Sequence, residues 1–160
     1  AYQQLITGSL AGRPPLPDLP MEAKVGCLVR EAITRGLLGS AHDCSDGGLC
    51  VALAESSIAS GLGIEIDLSV QGVRLDRVLF AEGGSRIVVS VKADRMGPWE
   101  ALLAEQDDLP ITRIGVVTEQ PCLQVRVDHH PCLNLEIEQC RDVYSSSLPR
   151  RIDGNGELAE

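Results

Sequence analysis

Apolar and polar positions along the chain change period several times, and each change marks an element. Met21, Val25, Leu28, Val29, Ala32 and Ile33 recur at helical spacing and predict an amphipathic helix capped by Asp18 and ended by Gly36. Upstream, Tyr2, Leu5 and Ile6 run into Gly8 as the last turns of a helix would, an opening that predicts a fragment boundary. Pro14, Pro15, Pro17 and Pro20 lie between the two helices and predict an extended connector over residues 11–20. Residues 40–44 read as a short strand, 45–48 as a turn and 49–60 as a second helix closed by Gly61. Ile64, Ile66 and Leu68 then alternate with Glu65 and Asp67, the period of a half-exposed strand over 63–68.

Farther along, residues 76–81 predict one or two helical turns, and the β-branched run at 86–91 a strand. Residues 95–106 read as a helix with Pro98 in its first turn and Met96, Leu102 and Leu103 facing inward. Strands are expected at 111–117 and 122–128, joined by a turn at 118–121, and a last short strand at 134–137. A helix over 138–147 is expected to stop at Pro149, and 154–160 reads as a disordered tail. This gives one compact domain over 1–150 with a flexible tail at 151–160, no internal repeat and no low-complexity segment.

Composition narrows the function. With 14 basic against 23 acidic side chains the formal charge is −9, so the net field repels phosphate and argues against nucleic acid and anionic membrane as partners. A bound phosphate therefore needs a local device. Apolar runs fall well short of the roughly 18 to 20 residues that span a bilayer, and residues 1–6 lack a basic-then-apolar leader, so the expected compartment is the cytoplasm. Cys27, Cys44, Cys50, Cys122, Cys132 and Cys140 contain no Cys-x-x-Cys pair and read as free thiols, most of them buried. Aromatics are scarce, which leaves an aliphatic core and little means of stacking on bases.

The densest polar cluster is His42-Asp43-Cys44-Ser45-Asp46-Gly47-Gly48, at the strand-to-helix turn. Amides at the start of a helix, approached closely through two adjacent glycines, can cradle a phosphate. Asp43 and Asp46 are hard oxygen ligands suited to Mg²⁺ on that phosphate, and Ser45 can donate its hydroxyl to a phosphate oxygen. The same residues also spell an ordinary helix cap, with Ser45 or Asp46 satisfying a helix amide, and the pattern alone leaves both readings open. His42 reads as a strand-end histidine bonded to neighbouring backbone. His129-His130 before Pro131 reads as a hairpin turn rather than a metal site.

The run from Ser40 to Leu49, continued by Val51-Ala52-Leu53-Ala54-Glu55, resembles the C-terminal synthetase-type domain of phosphoribosylformylglycinamidine synthases. Gly12-Arg13-Pro14-Pro15, Leu79-Phe80-x-Glu82, Ser85 to Val91 and Thr112-Arg113-Ile114-Gly115-x-Val117 are further marks of that family. The resemblance implies a part of an ATP-dependent carbon–nitrogen ligase of purine synthesis, converting formylglycinamide ribonucleotide, glutamine and ATP to the amidine. It implies Mg²⁺ and ATP or ADP as cofactors, with Asp43 holding the metal and Ser45 meeting nucleotide phosphate at an auxiliary site; the helix-start reading assigns Asp46, Gly47 and Gly48 to the same phosphate. Implied partners are the N-terminal nucleotide-binding and repeat domains of the same enzyme and a glutaminase component; parted from them, the fragment is expected to be inactive and to self-associate. Gly83-Gly84 departs from the family's usual Ser-Gln, and Glu82 and Arg86 read as a structural pair.

The expected fold is α+β, a mixed β-sheet of about six strands with helices packed mainly on one face, as the resemblance implies and the element order permits. The alternatives are a non-catalytic scaffold domain of the same enzyme, or a domain of another superfamily member such as aminoimidazole ribonucleotide synthetase or thiamine monophosphate kinase.

Overall fold

A computed structural model describes residues 2–9, 16–70, 72–106 and 108–152. In chain order the elements are α1 (Tyr2–Thr7), α2 (Leu19–Thr34), β1 (Leu38–Asp43), α3 (Gly48–Ser60), β2 (Gly63–Leu68), α4 (Leu75–Phe80), β3 (Ile87–Val91), a 3-10 turn (Ala93–Arg95), α5 (Met96–Ala104), β4 (Gly115–Thr118), β5 (Cys122–Val127), β6 (His130–Glu136) and α6 (Ile137–Ile152). The chain forms two compact units, one of Ala1–Leu53 with Val70–Arg113 and one of Ala54–Ser69 with Ile114–Glu160. Helix α3 begins in the first and ends in the second.

In the first unit Asp18 caps α2, its carboxylate accepting from the Met21 amide at 3.0 Å. Pro20 belongs to the first turn of α2 and not to the connector, because a proline there forfeits an amide that lacks a helical partner anyway. At the far end Gly36 takes φ +66° and the Leu37 amide returns to the Ala32 carbonyl, so the chain reverses toward β1. The core gathers Leu28 and Ala32 of α2, Leu37, and Trp99 and Leu102 of α5, with Val89 and Val91 of β3 against it. Strands β1 and β3 pair antiparallel as a two-stranded ribbon. The Tyr2 and Phe80 rings stack at 4.5 Å between α1 and α4.

The second unit is a four-stranded sheet in the order β4-β2-β5-β6, with β2 antiparallel to β4 and parallel to β5. Ile64, Ile66 and Leu68 lie in register with Leu123, Val125 and Val127, so the alternation seen in the sequence becomes one apolar face. Among the described residues the α+β class and six strands match expectation, with the strands divided between a two-stranded and a four-stranded sheet.

Several boundaries move for local reasons. Of the strand expected at 111–117, only Gly115–Thr118 forms, where Gly63–Ile66 of β2 lies opposite. Strand β6 starts at His130 and carries Pro131, tolerated on a sheet edge beside the register shift at Val125/Arg126. Helix α6 does not stop before Pro149; the proline sits in its last turn, where its missing amide removes a single hydrogen bond. The expected tail at 154–160, residues 11–15 of the connector and the Gly12 to Pro15 match lie outside the described residues. Of the six cysteines only Cys44 and Cys50 are buried, while Cys27 and Cys132 are exposed; none is in a disulfide. Among the described residues no helix is long and apolar enough to cross a membrane.

Candidate functional site

Strand β1 delivers the polar cluster to the start of α3. Asp43 is the last residue of the ladder, opposite Ile87, and the Cys44 amide donates to the Arg86 carbonyl at 2.9 Å, tying the strand end to β3. Cys44 is buried, and that burial, ahead of the opposing Arg86 charge and the Asp43 charge, pushes its thiol above the ordinary value. It therefore stays a neutral packing group at physiological pH.

The chain then turns outward. The Asp43 side chain is 69% exposed, and Ser45 and Asp46 are exposed beside it. His42 places Nδ1 2.7 Å from the Asp43 carbonyl, the neighbouring-backbone contact expected of it. Gly47 and Gly48 adopt φ +77° and +68°, left-handed geometry that makes glycine the suitable residue at both positions. Close packing adds to this, since a Cβ on Gly47 would overlap Val51 and one on Gly48 would lie 2.8 Å from the Ala81 carbonyl oxygen.

A side chain does reach the backbone of this turn, and it is that of Glu82. Its Oε1 accepts from the Gly47 amide at 3.1 Å, while the Gly48 amide donates to the Ser45 carbonyl at 3.1 Å. Two amides that the sequence assigns to phosphate are thus hydrogen-bonded within the chain. The expected Glu82–Arg86 pair does not form. Arg86 donates instead to the Ala81 and Val78 carbonyls, at 3.2 and 3.3 Å, satisfying acceptors at the end of α4. Sequence reasoning missed the Glu82 contact; the Leu79-Phe80-x-Glu82 motif was its visible trace. Gly84, in the departing pair, has the Glu22 carboxylate where a Cβ would stand, so this loop has no room for a larger residue without movement of Glu22.

Among the described residues no group of three or more His, Cys, Asp or Glu side chains is arranged to hold a metal ion. The turn offers one exposed strand-end carboxylate with a hydroxyl two residues on, a donor set that fits Mg²⁺ shared with phosphate oxygens and water and does not fit an all-protein cage. His129 is elsewhere, in the β5–β6 hairpin of the second unit, bonded through Nδ1 to Asp67 at 2.6 Å.

Comparison with known proteins adds a family. The family described as AIR synthase related protein, C-terminal domain, matches residues 2–128. Phosphoribosylformylglycinamidine synthase subunit PurL of Synechococcus sp. (strain CC9902) is 47% identical over 152 residues, which is 95% of this chain and 20% of that protein. The chain thus spans about a fifth of the length of that curated relative. Two solved structures share the fold: T. maritima PurL complexed with AMPPCP, at TM-score 0.64 and 17% identity over 83% of this chain and 24% of that one, and T. maritima PurL complexed with ADP, at 0.63 and 18% over 83% and 24%.

Proposed function

We propose that this chain, which belongs to the family of AIR synthase related protein C-terminal domains, is the C-terminal domain of an ATP-dependent ligase that makes formylglycinamidine ribonucleotide from formylglycinamide ribonucleotide and glutamine in the cytoplasm. The proposal extends to this chain the activity named for a relative 47% identical to it. In that reaction ATP phosphorylates the amide oxygen, ammonia from glutamine attacks the carbon, and phosphate leaves. The chain would act together with nucleotide-binding and repeat domains of the same enzyme and with a glutaminase component, and would not turn over alone.

Within that enzyme the turn from Asp43 to Gly48 would hold the phosphate end of a nucleotide, with Asp43 as metal ligand and Ser45 as hydroxyl donor. The observation that carries this is the outward projection of Asp43 and Ser45 from a turn whose backbone is fixed on both sides. Relatives of the same fold are solved with ADP and AMPPCP, in keeping with a nucleotide ligand. When bound, Mg²⁺ supplies the positive charge that joins an anionic phosphate to an anionic turn. Asp43 anchors that ion, Ser45 donates to a phosphate oxygen, and Asp46 keeps the helix start acidic, where the helix dipole favours negative charge.

The second reading, a scaffold domain, is favoured by the internal hydrogen bonds of Gly47 and Gly48. The two readings separate in the full-length protein when nucleotide content and thermal midpoint are compared for Asp43→Asn, Ser45→Ala and Asp46→Ala. The nucleotide reading expects Asp43→Asn to lose nucleotide with little change in folding. Unchanged nucleotide content in all three would contradict it and leave the scaffold.

A further inference from the structure

The turn is gripped at both ends by a single neighbouring segment, residues 78–86. At its entrance the Cys44 amide donates to the Arg86 carbonyl, and at its exit the Gly47 amide donates to the Glu82 carboxylate. The gripping segment is itself braced: the Arg86 guanidinium binds the Val78 and Ala81 carbonyls, spanning the loop that carries Glu82. Gly48, lacking a Cβ, lets the start of α3 press on the backbone of Leu79 to Ala81. Ser45 and Asp46 are exposed between the two grips, so the backbone that carries them is held by atoms belonging to residues 82 and 86.

From this juxtaposition we infer that Glu82 is a positioning residue for the nucleotide phosphate site. The inference rests on the nucleotide reading and deepens it. Glu82 does not touch the phosphate. It accepts from Gly47 through a charge-assisted bond and so holds the loop that carries Asp43 and Ser45; a site held in advance loses less entropy when it binds. The leucine-phenylalanine step before Glu82 has its own task, since Leu79 is buried and Phe80 stacks on Tyr2, fixing the segment from which Glu82 reaches out.

Glutamine at 82 keeps an acceptor oxygen at the same reach, and alanine removes it. The test measures Mg²⁺-ADP retention by the full-length protein for Glu82→Ala, Glu82→Gln and Asp43→Asn, and follows the Gly47 amide resonance of this chain through an acid titration. Glu82→Ala is expected to weaken retention about tenfold or more and Glu82→Gln to stay within about threefold of the wild type. The Gly47 amide is expected to move less through the acid titration in Glu82→Gln than in the wild type. Wild-type retention in Glu82→Ala, with retention lost in Asp43→Asn, overturns the inference and leaves the nucleotide site standing. Wild-type retention in both variants overturns the nucleotide site and the inference with it. Should the alanine variant fail to fold, a Gly47 amide that moves equally with acid in the wild type and in Glu82→Gln overturns the role of Glu82.

Discussion

Asp67 illustrates how one carboxylate fixes a hairpin. Asp128 and His129 both adopt positive φ, as the two-residue loop between Val127 and His130 requires, yet neither is glycine. Asp67 offsets that strain by accepting the His129 amide at 3.1 Å and facing its ring nitrogen at 2.6 Å. The amide bond leads, ahead of an opposing cost of desolvation, and together with the His129 ring and the Arg126 charge it holds the Asp67 carboxyl below the usual range. A depressed folded value stabilises the fold fully above the unfolded value of about 3.9 and loses that effect as pH falls through the folded one. Asp67→Asn should therefore flatten the loss of stability below about pH 4, read from urea midpoints across the acid range. An acid slope equal to the wild type's would contradict this. The sequence announces a hairpin turn at His129-His130, and the structure sets it one residue earlier, at Asp128-His129. The partner on β2 lies 62 residues away from His129 and leaves no local signature.

At the scale of elements, helix α3 rests on the two left-handed glycines at its start. Gly48→Ala places a Cβ at positive φ and presses it against the Leu79 to Ala81 backbone. The left-handed conformation alone costs about 1–2 kcal/mol, so the variant is expected to lose at least that much stability in chemical denaturation. An unchanged midpoint would show that α3 does not pack on α4 as described. Elements with a strong period or clear end signals were legible: β2 begins and ends where its alternation does, and α3, closed by Gly61, starts one residue early. Elements decided by pairing were not. Ile111 to Ile114 have strand composition but no strand opposite them in the ladder, and His130 to Leu133 form a strand across Pro131 because an edge position needs no amide there. Proline composition marks breaks at 20 and 149, yet neither ends its helix: Pro20 sits in the first turn of α2, where no amide is needed, and α6 runs through Pro149 with one hydrogen bond fewer.

For the whole molecule, strand number followed from the sequence and strand partition did not. Which strand lies beside which depends on contacts distant in sequence, and the parallel β2–β5 pair joins segments separated by α4, β3, α5 and β4. The candidate site shows the same division. Asp43, Ser45 and the glycine pair were visible as a contiguous motif, whereas Glu82, 35 residues from Gly47, became visible only as a contact. In the proposed function this turn carries Mg²⁺ on a nucleotide phosphate. Mn²⁺ in place of Mg²⁺, located by anomalous diffraction from the full-length protein crystallised with ADP, tests it most directly. A metal peak is expected at ligand distance from the Asp43 carboxylate, about 2.0–2.2 Å, with a phosphate oxygen beside Ser45. A nucleotide bound with its metal away from Asp43, or a turn left empty at saturating ADP and Mn²⁺, would contradict it.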